Sequence, residues 1–327
     1  MTPLRLLFLG NSYTMNQSLD ATVAAMIQEA SGETVQEAKL TAGGLTFVNH
    51  VERAEGGHSD WMGALANDAS QWDWVFLQEQ SQIPGFPEDN TYVQDSITAA
   101  AALCDLAAAR EAQSVFVMTW GRRSGDTDNP ERYPDFTTMQ DHLTAGYLRY
   151  VETCATPERP TWVAPVGLAW RHIHDGILAD GGDPQDESSL FYRLYSTDGS
   201  HPSPSGNHLA AAVIYATLTG ESPVGLSDPS GLVSPDDAAQ LQAAAAAVVL
   251  GESPDIDYPW EVSEETPEDT GEPTDTGEPT DTGETDTSDN AEETPSGNAS
   301  AEESGCRSQS ALLLPPLFLM LLGLRRR

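Results

Sequence analysis

A single lysine, Lys39, stands in the 327-residue chain, and lysine and arginine together number 15 against 51 acidic residues, a formal charge of −36. A chain so poor in cations cannot neutralise a phosphate backbone and its own field repels one, which excludes nucleic acid as a partner. Cysteine is equally scarce. Cys104, Cys154 and Cys306 are too few for a disulfide framework. Cys104 and Cys154 fall in helical stretches, where a buried thiol is the default; a bridge between them is open to an exported protein, and spacing does not decide it. Neither Cys-x-x-Cys nor His-Glu-x-x-His spacing occurs, so there is no strong metal motif and no cofactor is expected. The apolar run at 311–324 is well short of the roughly 20 residues that a membrane-spanning helix needs. Nothing in the sequence speaks to oligomeric state.

The charge that is present is unevenly spread. Nineteen acidic residues and no basic one lie between Glu252 and Glu303, which leaves 32 acidic against 11 basic in residues 1–251. DTGEPT occurs at 269–274 and again at 275–280, followed by DTGET, and no aromatic residue lies between Trp260 and Phe318. Such a stretch cannot bury a core and reads as an extended, self-repelling linker over 252–305. Residues 306–327 then bring Cys306, the apolar run and Arg325 to Arg327. That order resembles the tripartite C-terminal signals of myxobacterial-type surface proteins. The resemblance implies an exported body anchored at the membrane or cell surface, and since the first strand follows Met1 almost at once, a start upstream of Met1.

Residues 1–251 form the body. LRLLFLG (4–10) is a short apolar run closed by glycine, the mark of a strand buried on both faces. TVQEAKLTAGG (34–44), WDWVFLQ (72–78), SVFVMTW (114–120) and TWVAPVG (161–167) read as further strands. Helical periodicity covers 18–32, with Ser18 as candidate cap, then 92–110, about 136–154, 208–220 and 235–251. This alternation predicts an α/β fold, a three-layer sandwich of about five parallel strands with helices on both faces. In such sheets functional residues gather beyond the carboxyl ends of the strands. GNSYT, AGGLT, QEQSQ, WGRRSGD and the loop after PVG therefore share one rim, and the loop STDGSHPSPSG can reach it.

At that rim GNSYT places Ser12 in the turn after strand one, where its hydroxyl and its own N–H face the cleft. A serine hydroxyl is scarcely ionised at neutral pH, so a nucleophile here needs a base. An imidazole is the side chain suited to take that proton near neutrality, and Asp198, three residues before His201, can hold its tautomer and stabilise its charged form. Pro202 and Pro204 stiffen that loop. Developing oxyanion charge needs donors: the Ser12 N–H, a backbone N–H of Gly43 or Gly44, and the side-chain amide of Gln78, or of Gln80 if the register shifts.

A serine block after the first strand, a glycine in a second block, an amide in a third and Asp-x-x-His in the last resemble the SGNH (GDSL-type) hydrolase superfamily over about residues 4–220. The GNS and LQxxS blocks are nearest to some uncharacterised branches. Two blocks depart from the usual pattern: Asn11 stands where GDSL has aspartate, and glutamine replaces Gly-x-Asn-Asp. The resemblance implies a flavodoxin-like sandwich, Ser12, His201 and Asp198 as catalytic triad, and an oxyanion hole of Ser12, Gly44 and Gln78. The expected activity is a serine esterase acting on a small-molecule or glycan ester, with O-acyl carbohydrate the first choice. Trp120 and Arg122, with Arg123 beside them, are candidates to stack on or pair with such a substrate. Two rivals remain: a surface-displayed carbohydrate-binding module without turnover, and a metal-assisted hydrolase using His172 and His174, which point the same way if that stretch is extended. His50 and His58 flank an acidic, glycine-rich loop and have no assigned role.

Overall fold

The computed structural model describes residues 2–66, 71–251 and 256–261. Five short apolar runs form one wholly parallel sheet: β1 (Leu4–Gly10), β2 (Val35–Thr41), β3 (Trp74–Leu77), β4 (Gln113–Val117) and β5 (Thr161–Ala164), in the order β2-β1-β3-β4-β5. Register runs from Leu4 against Val35 to Gly10 against Thr41, and from Leu6 against Trp74 to Leu9 against Leu77. The central strand β1 is covered on both sides, and Leu6, Leu7, Phe8 and Leu9 are all buried, whereas the edge strand β2 keeps Gln36 and Glu37 exposed.

The helices are α1 (Ser12–Met15), α2 (Leu19–Ser31), α3 (Phe47–Glu55), α4 (Ser59–Trp61), α5 (Thr91–Ala108), α6 (Phe136–Cys154), α7 (Val166–Ala179), α8 (Leu190–Arg193), α9 (Pro204–Thr219) and α10 (Pro235–Val249). Helices α2, α7, α9 and α10 pack together on one face, and α3, α5 and α6 on the other. The expected three-layer α/β/α sandwich is the fold, with the flavodoxin-like strand order. In that order the chain reverses its winding between β1 and β3, opening a crevice at their carboxyl ends.

Local chemistry sets the helix starts. Asp135 accepts from Thr138 N–H at 2.7 Å, Ser203 and Ser234 cap α9 and α10, and a proline opens each of those two helices. Thr46 and Asn49 exchange side-chain bonds as a capping box for α3. Ser18, the expected cap of α2, makes no capping bond and sits in the left-handed region.

Three further readings change. Strand β5 stops at Ala164, because Pro165 becomes the N-cap position of α7 and the expected loop is a helix. Cys104 in α5 and Cys154 in α6 are not free thiols but a disulfide, with Cα atoms 6.1 Å apart. The packed body also continues past Gly251: Ile256 and Tyr258 are buried, and Trp260 lies against Gly220. The rest of the expected linker and the whole of the expected sorting signal lie outside the described residues.

Candidate active site

Strand β1 delivers its turn into the crevice through a close approach. A Cβ on Gly10 would collide with Thr14 Oγ1 and stand 2.8 Å from Gln78 Oε1, so only glycine lets the chain turn here. The next residue, Asn11, caps α1 by accepting from Tyr13 N–H at 3.1 Å, and its Nδ2 donates to the Leu45 carbonyl at 3.0 Å. The N-terminal turn of α1 then presents Ser12.

Ser12 Oγ lies 2.8 Å from His201 Nε2, and His201 Nδ1 lies 2.5 Å from Asp198 Oδ2. A carboxylate only accepts, so the ring carries its proton on Nδ1 and offers a lone pair on Nε2 to the serine hydroxyl. Asp198 Oδ1 also accepts the N–H groups of Ser200 and His201, at 2.9 and 3.0 Å. Partial burial opposes ionisation of Asp198, but the His201 ring and these two N–H groups outweigh it and hold its pKa below the ordinary value. Side chains from opposite ends of the body are thus joined in one line. The line opens to solvent, with the Asp198 side chain 48% and that of His201 31% exposed.

Around Ser12 the N–H groups of Asn11, Tyr13, Thr14 and Met15 are all consumed within the turn or by Gln78. Among the described residues, those of Ser12 and of both candidate glycines, Gly43 and Gly44, meet no acceptor. Gly44 holds φ of +71°, which a side chain would strain. Of the two candidate glutamines, Gln78 is the one that touches the serine turn. It is 2% exposed, and its Oε1 accepts from Asn11 N–H at 3.1 Å and from Thr14 Oγ1 at 2.9 Å. One N–H of its Nε2 donates to the Glu79 carbonyl, so only the other is left for a ligand. Gln80 is bonded to Gln82 within its own loop.

The weaker substrate candidates fare differently. Trp120 cannot stack on a sugar: it is 2% exposed, with Tyr13 on one face at 4.8 Å and Trp170 on the other at 4.3 Å. Arg123 lays its guanidinium over Tyr192 at 3.7 Å. Arg122 stays partly exposed and pairs with the buried Asp126, which also accepts from Gln82 at 2.5 Å and Asn129 at 2.7 Å. His172 and His174 lie in α7 and do not converge. His174 is buried against Phe136 and Phe191 and bonded to Asp175, whereas His172 is exposed. His58 is exposed beside Trp61.

Two buried ionisable groups behind the turn had no assigned role in the sequence. His50 Nδ1 accepts from Trp61 Nε1 at 2.9 Å, which leaves the proton on Nε2, 3.2 Å from the Gly10 carbonyl. Burial pushes its pKa down to about 4. Glu79 accepts the Phe47 N–H at 3.1 Å, the Gln80 N–H at 2.6 Å and the Ser96 hydroxyl. Burial raises its pKa to about 7 in spite of those bonds. For Glu79 the signal available in the sequence was adjacency, since it follows Gln78 directly.

No family model and no curated protein matches the sequence. Solved structures do. A DUF4886 family protein from Bacteroides uniformis superposes with a TM-score of 0.60 at 16% identity, over 80% of this chain and all of that one. The likeness is one of fold. A protein provisionally described as an SGNH hydrolase, from Slackia heliotrinireducens, matches at 24% identity and a TM-score of 0.49, over 65% of this chain and 98% of its own. An acetylxylan esterase from Geobacillus stearothermophilus matches at 14% identity and 0.45, over 69% and 95%. SGNH and GDSL-type hydrolases and esterases thus stand among the structural neighbours.

Proposed function

We propose that the protein is a serine ester hydrolase of the SGNH type. The observation that carries this reading is the 2.8 Å approach of Ser12 Oγ to His201 Nε2, with Asp198 behind the ring. Ser12 attacks the ester carbonyl while His201 Nε2 takes the hydroxyl proton, and Asp198 stabilises the imidazolium so formed. The tetrahedral oxyanion is received by the N–H groups of Ser12 and Gly44 and by the remaining amide N–H of Gln78. His201 returns its proton to the departing alcohol. Water then cleaves the acyl-enzyme by the same route. These steps call on no cofactor.

An open, half-exposed site suits an acyl group carried on a large polar scaffold better than a long lipid chain, which would need a deep apolar pocket. The partly exposed Arg122 and the Gln80–Gln82 pair give the rim hydrogen-bonding groups for such a scaffold. We read the substrate as O-acyl groups on carbohydrate and the place of action as the cell surface. The Cys104–Cys154 disulfide supports an oxidising compartment.

Turnover of p-nitrophenyl acetate, p-nitrophenyl palmitate and O-acetylated oligosaccharides tests both levels. Expected are hydrolysis of the acetyl esters, little of the palmitate, and loss of all activity in Ser12→Ala. Binding of oligosaccharides without turnover would favour the carbohydrate-binding module, and activity surviving Ser12→Ala would exclude the serine route.

A further inference from the structure

The base of the site rides on a partly exposed loop, and three groups from the body grip that loop from behind. Ser200, between Asp198 and His201, has its hydroxyl 2.6 Å from Tyr13 Oη and its carbonyl 3.0 Å from the indole N–H of Trp120. The Gly199 carbonyl accepts the Arg123 backbone N–H at 2.9 Å. Tyr13 also sets its ring against that of His201, edge-on with centroids 5.3 Å apart. Tyr13 and Trp120 are themselves immobilised, stacked with Trp170 in one buried column.

We infer that Tyr13 and Trp120 are positioning residues which, through Ser200, hold His201 in line with Ser12; this rests on the serine-hydrolase reading above. A base must stay within a fraction of an ångström of its partner to act, and a loop whose two working side chains are partly open to solvent gains that constraint from the body behind it. Tyr13 directly follows Ser12. One turn therefore carries both the nucleophile and the brace for its base, so movement of the turn carries the loop with it. Trp120 contributes a donor from the segment after β4 rather than a sugar platform.

The test uses the full chain and the variants Tyr13→Phe, Ser200→Ala, their double variant, Trp120→Phe and Ser12→Ala. Removing the shared hydroxyl bond from either side should lower kcat for p-nitrophenyl acetate about tenfold with KM within about twofold. The double variant should fall no further than the singles, since all three lack the same bond. Melting temperature should drop by no more than about 4 °C, as for one hydrogen bond. A readout independent of turnover is hydrogen–deuterium exchange of the peptide spanning residues 196–203, which should quicken in Tyr13→Phe and Trp120→Phe. Unchanged exchange in both, or kcat losses that multiply in the double variant, would overturn the inference. So would a fall in melting temperature with kcat unchanged. Wild-type turnover that survives Ser12→Ala would instead defeat the hydrolase reading, and the exchange measurement would still decide whether the loop is gripped.

Discussion

His50 braces the serine turn through the Gly10 carbonyl, Glu79 holds the Phe47 N–H at the start of α3, and their titrations should pull stability in opposite directions over the same pH range. Folding lowers the His50 pKa from its ordinary 6.5 to about 4 by burial. Between those values the unfolded chain binds a proton that the folded protein refuses, so stability is full above pH 6.5 and falls as pH drops toward 4. At about 1.4 kcal/mol per pH unit the loss approaches 3 kcal/mol. Folding raises the Glu79 pKa from 4.5 to about 7, again by burial. There the folded protein holds a proton that the unfolded chain has released, so stability is full below pH 4.5 and declines by about 3 kcal/mol as pH rises through 7.

Glutamine at position 50 can both donate to the Gly10 carbonyl and accept from Trp61, and glutamine at position 79 is nearly isosteric with the neutral acid. Urea unfolding of wild type, His50→Gln and Glu79→Gln at half-unit steps from pH 4.5 to 7.5 isolates each group, because other titrations cancel in the differences. His50→Gln should gain on wild type by about 2–3 kcal/mol on acidification from pH 7 to 4.5, and Glu79→Gln should gain a similar amount on going from pH 4.5 to 7.5. A flat difference for His50→Gln would mean that the imidazole is not held neutral against Gly10, and its role as a brace would fall.

Gly10→Ala should fold but lose at least about tenfold in kcat, because the new Cβ overlaps Thr14 Oγ1 and crowds Gln78 Oε1, and the turn must shift; steady-state kinetics with circular dichroism checks it. Replacing both Cys104 and Cys154 by alanine frees a loop with a sequence separation of 50. Chain entropy puts the loss near 4 kcal/mol, readable as a fall of about 8–16 °C in melting temperature; an unchanged melting temperature would mean the bridge does not form.

The strands and the three aligned side chains were legible because each is written locally. An apolar run closed by glycine reads as a buried strand whatever surrounds it, and GNSYT and DGSH hold their chemistry within four or five residues. Helix α7 was not legible because Pro165 and Gly167 look like a turn; Gly167 is there for a close approach instead, since a Cβ would collide with Thr119 and Gln140 from other elements. Helix α3 did carry a cue, the Thr46–Asn49 box, though asparagine is a less familiar partner than glutamate. The Cys104–Cys154 bridge depends on how α5 lies on α6, which spacing does not encode. Trp120 misled for the same reason. Its place in the sequence puts it at the rim, but Tyr13 and Trp170, 107 residues before it and 50 after, close over both its faces.

The most direct measurement is covalent: incubate the full chain with a fluorophosphonate at neutral pH and map the adduct by mass spectrometry. A hydroxyl activated by His201 and Asp198 should take up one label, on Ser12, with none in Ser12→Ala and a labelling rate in His201→Ala lowered by at least a hundredfold. A label on another residue, or an equal rate without the imidazole, would contradict the alignment of these three side chains as a working nucleophile.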